Sequence, residues 1–195
     1  MLVKLGMMRN RIIGIIGGSG TGKSLFCTVA EDMGYTVIDG DRISHEVLQT
    51  LAKDELVKAF GEVISDNNGT ISRKVLGGIV FADAEKLKTL NSIMHKYIET
   101  EIENRITDKC VIDAAVLHQT PVFNKCTKIV AVVADKEIRL KRIMTRDNLD
   151  KKTALDRINS QLSNEQYKNL AHIVIENNGT EEEFKNKARE CLETL

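Results

Sequence analysis

The chain has 195 residues, enough to bury a hydrophobic core as one domain without disulfide or metal staples. Lys and Arg number 28 and Asp and Glu number 28, so the formal charge is zero, which argues against a dedicated nucleic-acid binder with a basic excess. No apolar run reaches the roughly 20 residues of a membrane helix, and none of the four cysteines (Cys27, Cys110, Cys126, Cys191) makes a CxxC pair, so reduced thiols in a cytoplasmic protein are expected. The opening "MLVKLGMMRN" is too short and irregular for a secretory signal, with Met7 and Met8 as alternative starts.

Along the chain, apolar strands alternate with helical patterns, which predicts an α/β fold on a parallel sheet. "RIIGII" (11–16) is a nearly continuous β-branched run, the pattern of a central strand covered on both faces. A helix over about 22–33 follows, with Gly34 as its C-terminal cap, then a short strand "YTVID" (35–39). About seventy residues separate this strand from the next, far more than a crossover needs. They read as helices over 41–59, 73–81 and about 83–107, with Asp83 as an N-cap and "SDNNGT" (65–70) as a turn. The stretch of about 62–108 is the candidate substrate-binding insertion in a single domain whose core is 11–61 and 109–195. "CVIDAAVL" (110–117), "KIVAVVA" (128–134) and "AHIVIE" (171–176) predict the remaining strands. A helical excursion over about 148–168 is the candidate lid. Ser163-x-x-Gln166 and Thr180-x-x-Glu183 fit capping boxes that open the last two helices.

The chemistry begins at "GGSGTGKS" (17–24). Glycines let backbone N–H groups curl around phosphate oxygens, and the helix that follows presents its positive end there. Lys23 then reaches the β- and γ-phosphates, and the Ser24 hydroxyl is a ligand for Mg²⁺. Asp39 and Asp41 follow the second strand, where open α/β sheets place ligands. A carboxylate here either accepts a proton from an attacking hydroxyl or caps the next helix, and Asp41 suits both roles. Asp113 ends the apolar part of the third strand, a position from which a carboxylate assists Mg²⁺ through water. Arg139, Arg142 and Arg146, spaced three and four apart, share one helix face and suit a polyphosphate, Arg142 and Arg146 above all. His45, His95, His118 and His172 have no metal-ligand spacing.

Taken in order, these segments resemble one family, the dephospho-CoA kinases, which are themselves similar to the nucleoside-monophosphate kinases. The likeness runs from about Ile12 to Thr180. It rests on "GGSGTGKS" (17–24), "DGD" (39–41), "GTISR" (69–73), "IVF" (79–81), "HK" (95–96), "RIMTRD" (142–147), "RINSQ" (157–161) and "NNGT" (177–180). The chain departs from the family pattern at "AVLHQ" (115–119), where the family has PLLFE, at "AH" (171–172) for AD, and at Lys96 for a proline.

The resemblance implies a three-layer P-loop kinase fold with a five-stranded parallel sheet, a helical acceptor-binding insertion and a small helical lid. It implies transfer of a phosphoryl group from ATP, with Mg²⁺, to the ribose 3′-hydroxyl of dephospho-CoA. Asp41, Lys23 and Arg146 are then the expected catalytic residues. Gly18, Ser19, Gly20, Thr21, Gly22, Lys23, Ser24, Leu25, Arg142, Arg146, Asn177 and Gly179 are expected at ATP, the last two near adenine. Asp41, Arg73, His95, Ala115 and Leu117 are expected at the acceptor, and Ser24 and Asp113 at Mg²⁺. A cytoplasmic protein acting on small molecules, as a monomer or weak homo-oligomer, follows. The alternatives are another small-molecule or nucleoside kinase and a non-catalytic nucleotide-binding regulator, which would need neither Asp41 nor the arginines.

Overall fold

A computed structural model describes residues 11–114 and 116–195, so the expectations placed on residues 1–10 and on Ala115 lie outside it. Contacts divide the chain into two compact units, one running to Ile38 and resuming at Ile106–Leu195, the other Asp39–Arg105.

The first unit carries a five-stranded sheet in the order β2-β3-β1-β4-β5, with β1 (Arg11–Ile16) at its centre. β1 pairs in parallel with β3 (Lys109–Asp113) on one side and β4 (Lys128–Val133) on the other, and β5 (Ile173–Glu176) runs parallel beside β4. β2 (Thr36–Asp39) forms the edge next to β3. β1 and β4 are buried at every residue after the first, as their unbroken apolar runs require of strands covered on both faces. One covering layer is α1 (Lys23–Asp32) packed on the final helix, α9 (Glu181–Glu193), where Phe26, Val29 and Ala30 meet Phe184, Ala188 and Leu192. A second cluster joins Leu140 and Ile143 of α6 (Lys136–Asp147) to Ala154 and Ile158 of α7 (Lys151–Asn159). The capping boxes at Ser163 and Thr180 are both formed, opening α8 (Asn164–Leu170) and α9.

The third and last strands are shorter than their apolar runs. β3 stops at Asp113, and Leu117–Gln119 turns as a 3₁₀ segment, so the eight-residue run ends as a packed loop. β5 starts at Ile173 because His172 does the pairing just before it. The His172 N–H donates to the Ile129 carbonyl at 2.9 Å, and the Ile129 N–H donates to His172 Nδ1 at 3.0 Å. His172, which stands where the family pattern has Asp, therefore supplies a side-chain acceptor for a buried strand donor. His172→Phe should lower the unfolding free energy by about 1–3 kcal/mol by orphaning that donor, whereas His172→Asp should lose clearly less. Urea melts of the two variants decide this, and equal midpoints would remove the role.

The second unit is helical. The sequence pattern predicts one helix over 41–59; the structure has two, α2 (Gly40–Gln49) and α3 (Lys53–Phe60). The break comes at Thr50, whose hydroxyl donates to the Glu46 carbonyl at 2.7 Å while the Ala52 N–H turns back to the Val47 carbonyl at 3.0 Å. α4 (Arg73–Val80) and the 22-residue α5 (Ala84–Arg105) complete the unit. Ile43, Val47, Leu56, Leu76, Val80, Ile93 and Ile102 form its interior. The 65–70 turn is real. The Asp66 carboxylate accepts the Asn68 and Thr70 N–H groups, at 2.9 and 2.8 Å, and Gly69 takes φ 73°. Asp83 caps α5 through the N–H groups of Glu85 and Lys86.

Candidate active site

β1 delivers the chain into the glycine loop, and the loop opens α1. Gly22, in the N-cap position, has φ 107° and no side chain to cap the first turn, and that turn holds no carboxylate. The positive end of the helix is thus turned toward whatever anion the loop receives. Glycine is required at 22 on two counts. The φ is left-handed, and a Cβ would stand 2.3 Å from Asn177 Nδ2.

The loop backbone is braced by side chains of its own and by one from beyond β5. The Thr21 hydroxyl, with no exposed surface, donates to the Gly18 carbonyl at 2.9 Å. Asn177, just past β5 and 4% exposed, donates through Nδ2 to the Thr21 carbonyl at 2.8 Å. The half-buried Lys23 donates to the Gly17 carbonyl at 2.9 Å, which occupies one of its three N–H groups and leaves it anchored at the loop's mouth.

The three arginines lie on α6 as their spacing predicts, but they are graded by depth. Arg139 is 3% exposed and spends its guanidinium on the Ser19 carbonyl and Gln161, so the structure moves it from the expected phosphate face to the interior. Burial lowers its pKa from the ordinary value, and hydrogen bonds satisfy the buried guanidinium. Arg142 is half-buried and donates to the Gly20 carbonyl and to both oxygens of Asn177, at 3.1–3.3 Å. Arg146 is exposed and is gripped by Asp147 through Nε and Nη2, at 2.7 and 2.9 Å. That pair holds the Asp147 carboxyl down at about 2, with Arg157 adding a second cation.

Between these elements lies a cleft of about 700 Å³. Gly20, Gly22, Lys23, Ser24 and Leu25 form its floor, Lys141, Arg142, Thr145 and Arg146 one wall, and Asn177 and Glu181 the other. This falls within the range of small-molecule sites. Four cations line it against one carboxylate, a charge balance suited to a polyphosphate. Gly18, Ser19, Thr21 and Gly179 are not among the lining residues. Gly18 and Thr21 belong to the loop's inner framework, and Gly179 lies against Glu183 of the α9 capping box.

The remaining expected residues are distributed as follows. Asp113, at the end of β3, accepts from the Cys27 thiol at 3.8 Å, and burial first, then that carboxylate, pushes the thiol far above its usual range. Leu117 has no exposed surface and its side chain packs beside Gly14 of β1, so it belongs to the core rather than to an acceptor surface. Asp41, Arg73 and His95 are exposed and lie in the second unit, in the first turn of α2, at the start of α4 and along α5. The N-cap of α2 is Asp39, which accepts the Arg42 N–H at 2.9 Å, so capping falls to the neighbouring carboxylate and not to Asp41. Sequence reasoning gave no role to Gln161, although "RINSQ" contained it. Its partner, Ser19, is 142 residues away.

Among the described residues no group of three or more His, Cys, Asp or Glu side chains could hold a metal, and no helix is long and apolar enough to cross a membrane. The family model for dephospho-CoA kinase matches residues 11–183. A dephospho-CoA kinase of Fusobacterium nucleatum subsp. nucleatum is 37% identical over 189 residues, covering 94% of this chain and 98% of that one. One from Oceanobacillus iheyensis is 36% identical, covering 89% of this chain and 92% of that one. A crystal structure from Thermus thermophilus superposes with a TM-score of 0.79 at 27% identity, covering 94% of this chain and 97% of its own. The ordered motifs, the sheet around the glycine loop and these matches agree: the chain belongs to the dephospho-CoA kinase family.

Proposed function

We propose that the chain catalyses its family's reaction, ATP-dependent phosphorylation of the ribose 3′-hydroxyl of dephospho-CoA to give CoA, with the triphosphate held in the 700 Å³ cleft. The observation that carries this is the convergence of Lys23, Ser24, Arg142 and Arg146 on one cleft at the uncapped start of α1. Phosphoryl transfer asks little covalent chemistry of the protein, so positioning and charge stabilisation dominate. Backbone N–H groups of the loop receive the β-phosphate, and Lys23 bridges toward the γ-phosphate with the donors not spent on Gly17. Arg142 and Arg146 face the charge that spreads over the transferring group. The Ser24 hydroxyl, exposed in the first turn of α1, would hold an Mg²⁺ ion that arrives on the nucleotide, and Asp113 would support it through water. When bound, it would supply neutralisation of phosphate charge. Asp41 orients the acceptor hydroxyl and takes its proton as the new O–P bond forms and the β–γ bridging P–O bond breaks. Arg73 and His95 hold the acceptor, Asn177 and Gly179 border the adenine, and the reaction runs in the cytoplasm.

Purified protein with ATP, Mg²⁺ and dephospho-CoA should yield CoA and ADP in equal amounts by mass spectrometry. Transfer to a different acceptor from a panel of nucleosides and small alcohols, with none to dephospho-CoA, would replace this substrate. ATP binding without transfer to any of them would favour the regulator reading.

A further inference from the structure

The apex of the glycine loop is held from the far end of α7. Gln161 Oε1 accepts the Ser19 N–H at 2.8 Å and Arg139 Nη2 at 3.2 Å, while Gln161 Nε2 donates to the Ser19 hydroxyl at 3.1 Å. Arg139 Nε donates to the Ser19 carbonyl at 2.9 Å. Every polar group of Ser19 is therefore bonded, and the amide orientation is fixed because two donors meet its oxygen. Gly18 makes the fit possible, since a Cβ there would fall 2.2 Å from Arg139 Nη2. Four residues before Gln161, Arg157 bonds to Asp147 at the end of α6. Asn148, which follows, is the one non-glycine described residue with positive φ, at 49°. The segment "RINSQ" thus fastens the α7 excursion at two points: the end of α6 through Arg157 and the phosphate loop through Gln161.

We propose that Gln161 is a positioning residue for phosphoryl transfer, fixing the loop apex at Ser19 so that donor affinity depends on the docking of α7. This rests on the reading that the loop holds the ATP phosphates. Ser19 sits between two glycines, the least restrained backbone in the loop. Without the clasp the loop samples more conformations, and ATP must order it on binding.

The test is isothermal titration of Mg²⁺·ATP into wild type, Gln161→Leu, Gln161→Glu and Lys23→Ala, with amide hydrogen exchange over residues 17–22. Gln161→Leu should weaken ATP binding about tenfold, the loss expected of two or three hydrogen bonds, speed exchange in the loop, and leave the KM for dephospho-CoA within about twofold. Gln161→Glu, which keeps an acceptor for the Ser19 N–H and for Arg139, should recover most of the affinity. Unchanged ATP affinity in Gln161→Leu, or equal losses for both substrates, overturns the proposal. If Gln161→Leu does not fold, Ser19→Ala, which deletes only the hydroxyl contact, should weaken ATP about threefold, and an unchanged affinity rejects the role. A silent Lys23→Ala would instead reject the loop as the ATP site, so the two failures are told apart.

Discussion

Lys23→Ala is expected to lower kcat/KM for ATP by about 10²–10³, the usual loss when one preorganised donor is taken from developing charge. The fold should survive. Lys23 makes one structural hydrogen bond, to the Gly17 carbonyl, and losing it costs about 1 kcal/mol in unfolding. The loss should fall on kcat as well as on KM, because the ammonium meets charge that grows in the transition state. Lys23→Arg should not restore activity. The anchor on Gly17 and the half-buried setting fit a point charge on a flexible stem, not a planar fork. Steady-state kinetics with ATP varied, beside a thermal melt, measure both effects. Activity within threefold of wild type in a folded variant would end the assignment of this cleft to the triphosphate.

The arginine face sharpens what such a variant measures. Arg139, Arg142 and Arg146 descend from buried to exposed along α6, and their partners change in step. Arg139 works on the loop backbone, Arg142 joins loop to Asn177, and Arg146 reaches the cleft held by Asp147. Activity lost at Arg139 would report a displaced loop, and activity lost at Arg146 a missing charge. Helical spacing shows that three residues share a face. It does not show how deeply each turn sinks, because depth is set by what packs over the helix, here the loop and the α7 excursion.

The same distinction separates what was legible in the sequence from what was not. β1, the glycine loop and α1 could be read because strand, turn and helix signals sit within about twenty consecutive residues and each is enforced locally. The capping boxes at Ser163 and Thr180 are local for the same reason. The break between α2 and α3 was hidden, since neither Pro nor Gly marks it and the apolar spacing continues through Thr50–Ala52. Leu117 was expected at an acceptor surface from its place in a motif, yet its side chain fills space beside Gly14 that only the folded sheet creates. Gln161 and Asn177 act on carbonyls and N–H groups of the loop more than 140 residues away, and no periodicity encodes a partner at that distance.

Asp41→Asn should cut kcat by about 10²–10⁴, the range lost with a positioned proton acceptor, while leaving ATP binding intact. The structure supplies the control. Asp39, not Asp41, caps α2, with its carboxylate on the Arg42 N–H. Asp39→Ala should therefore cost about 1 kcal/mol of stability, as cap removal does, and leave most of the turnover in place. Asp41 sits exposed in the first helical turn, where its charge favours the helix dipole by about 0.3–1 kcal/mol. The two carboxylates thus predict different signatures, one mainly a loss of rate, the other mainly a loss of stability. Single-turnover kinetics and urea melts on both variants read the pair directly. If Asp41→Asn turns over normally and Asp39→Ala does not, the proton acceptor is Asp39 and the capping residue carries the chemistry. If both turn over normally, the acceptor hydroxyl is activated by the phosphate oxygens or by a residue elsewhere, and "DGD" serves the helix alone.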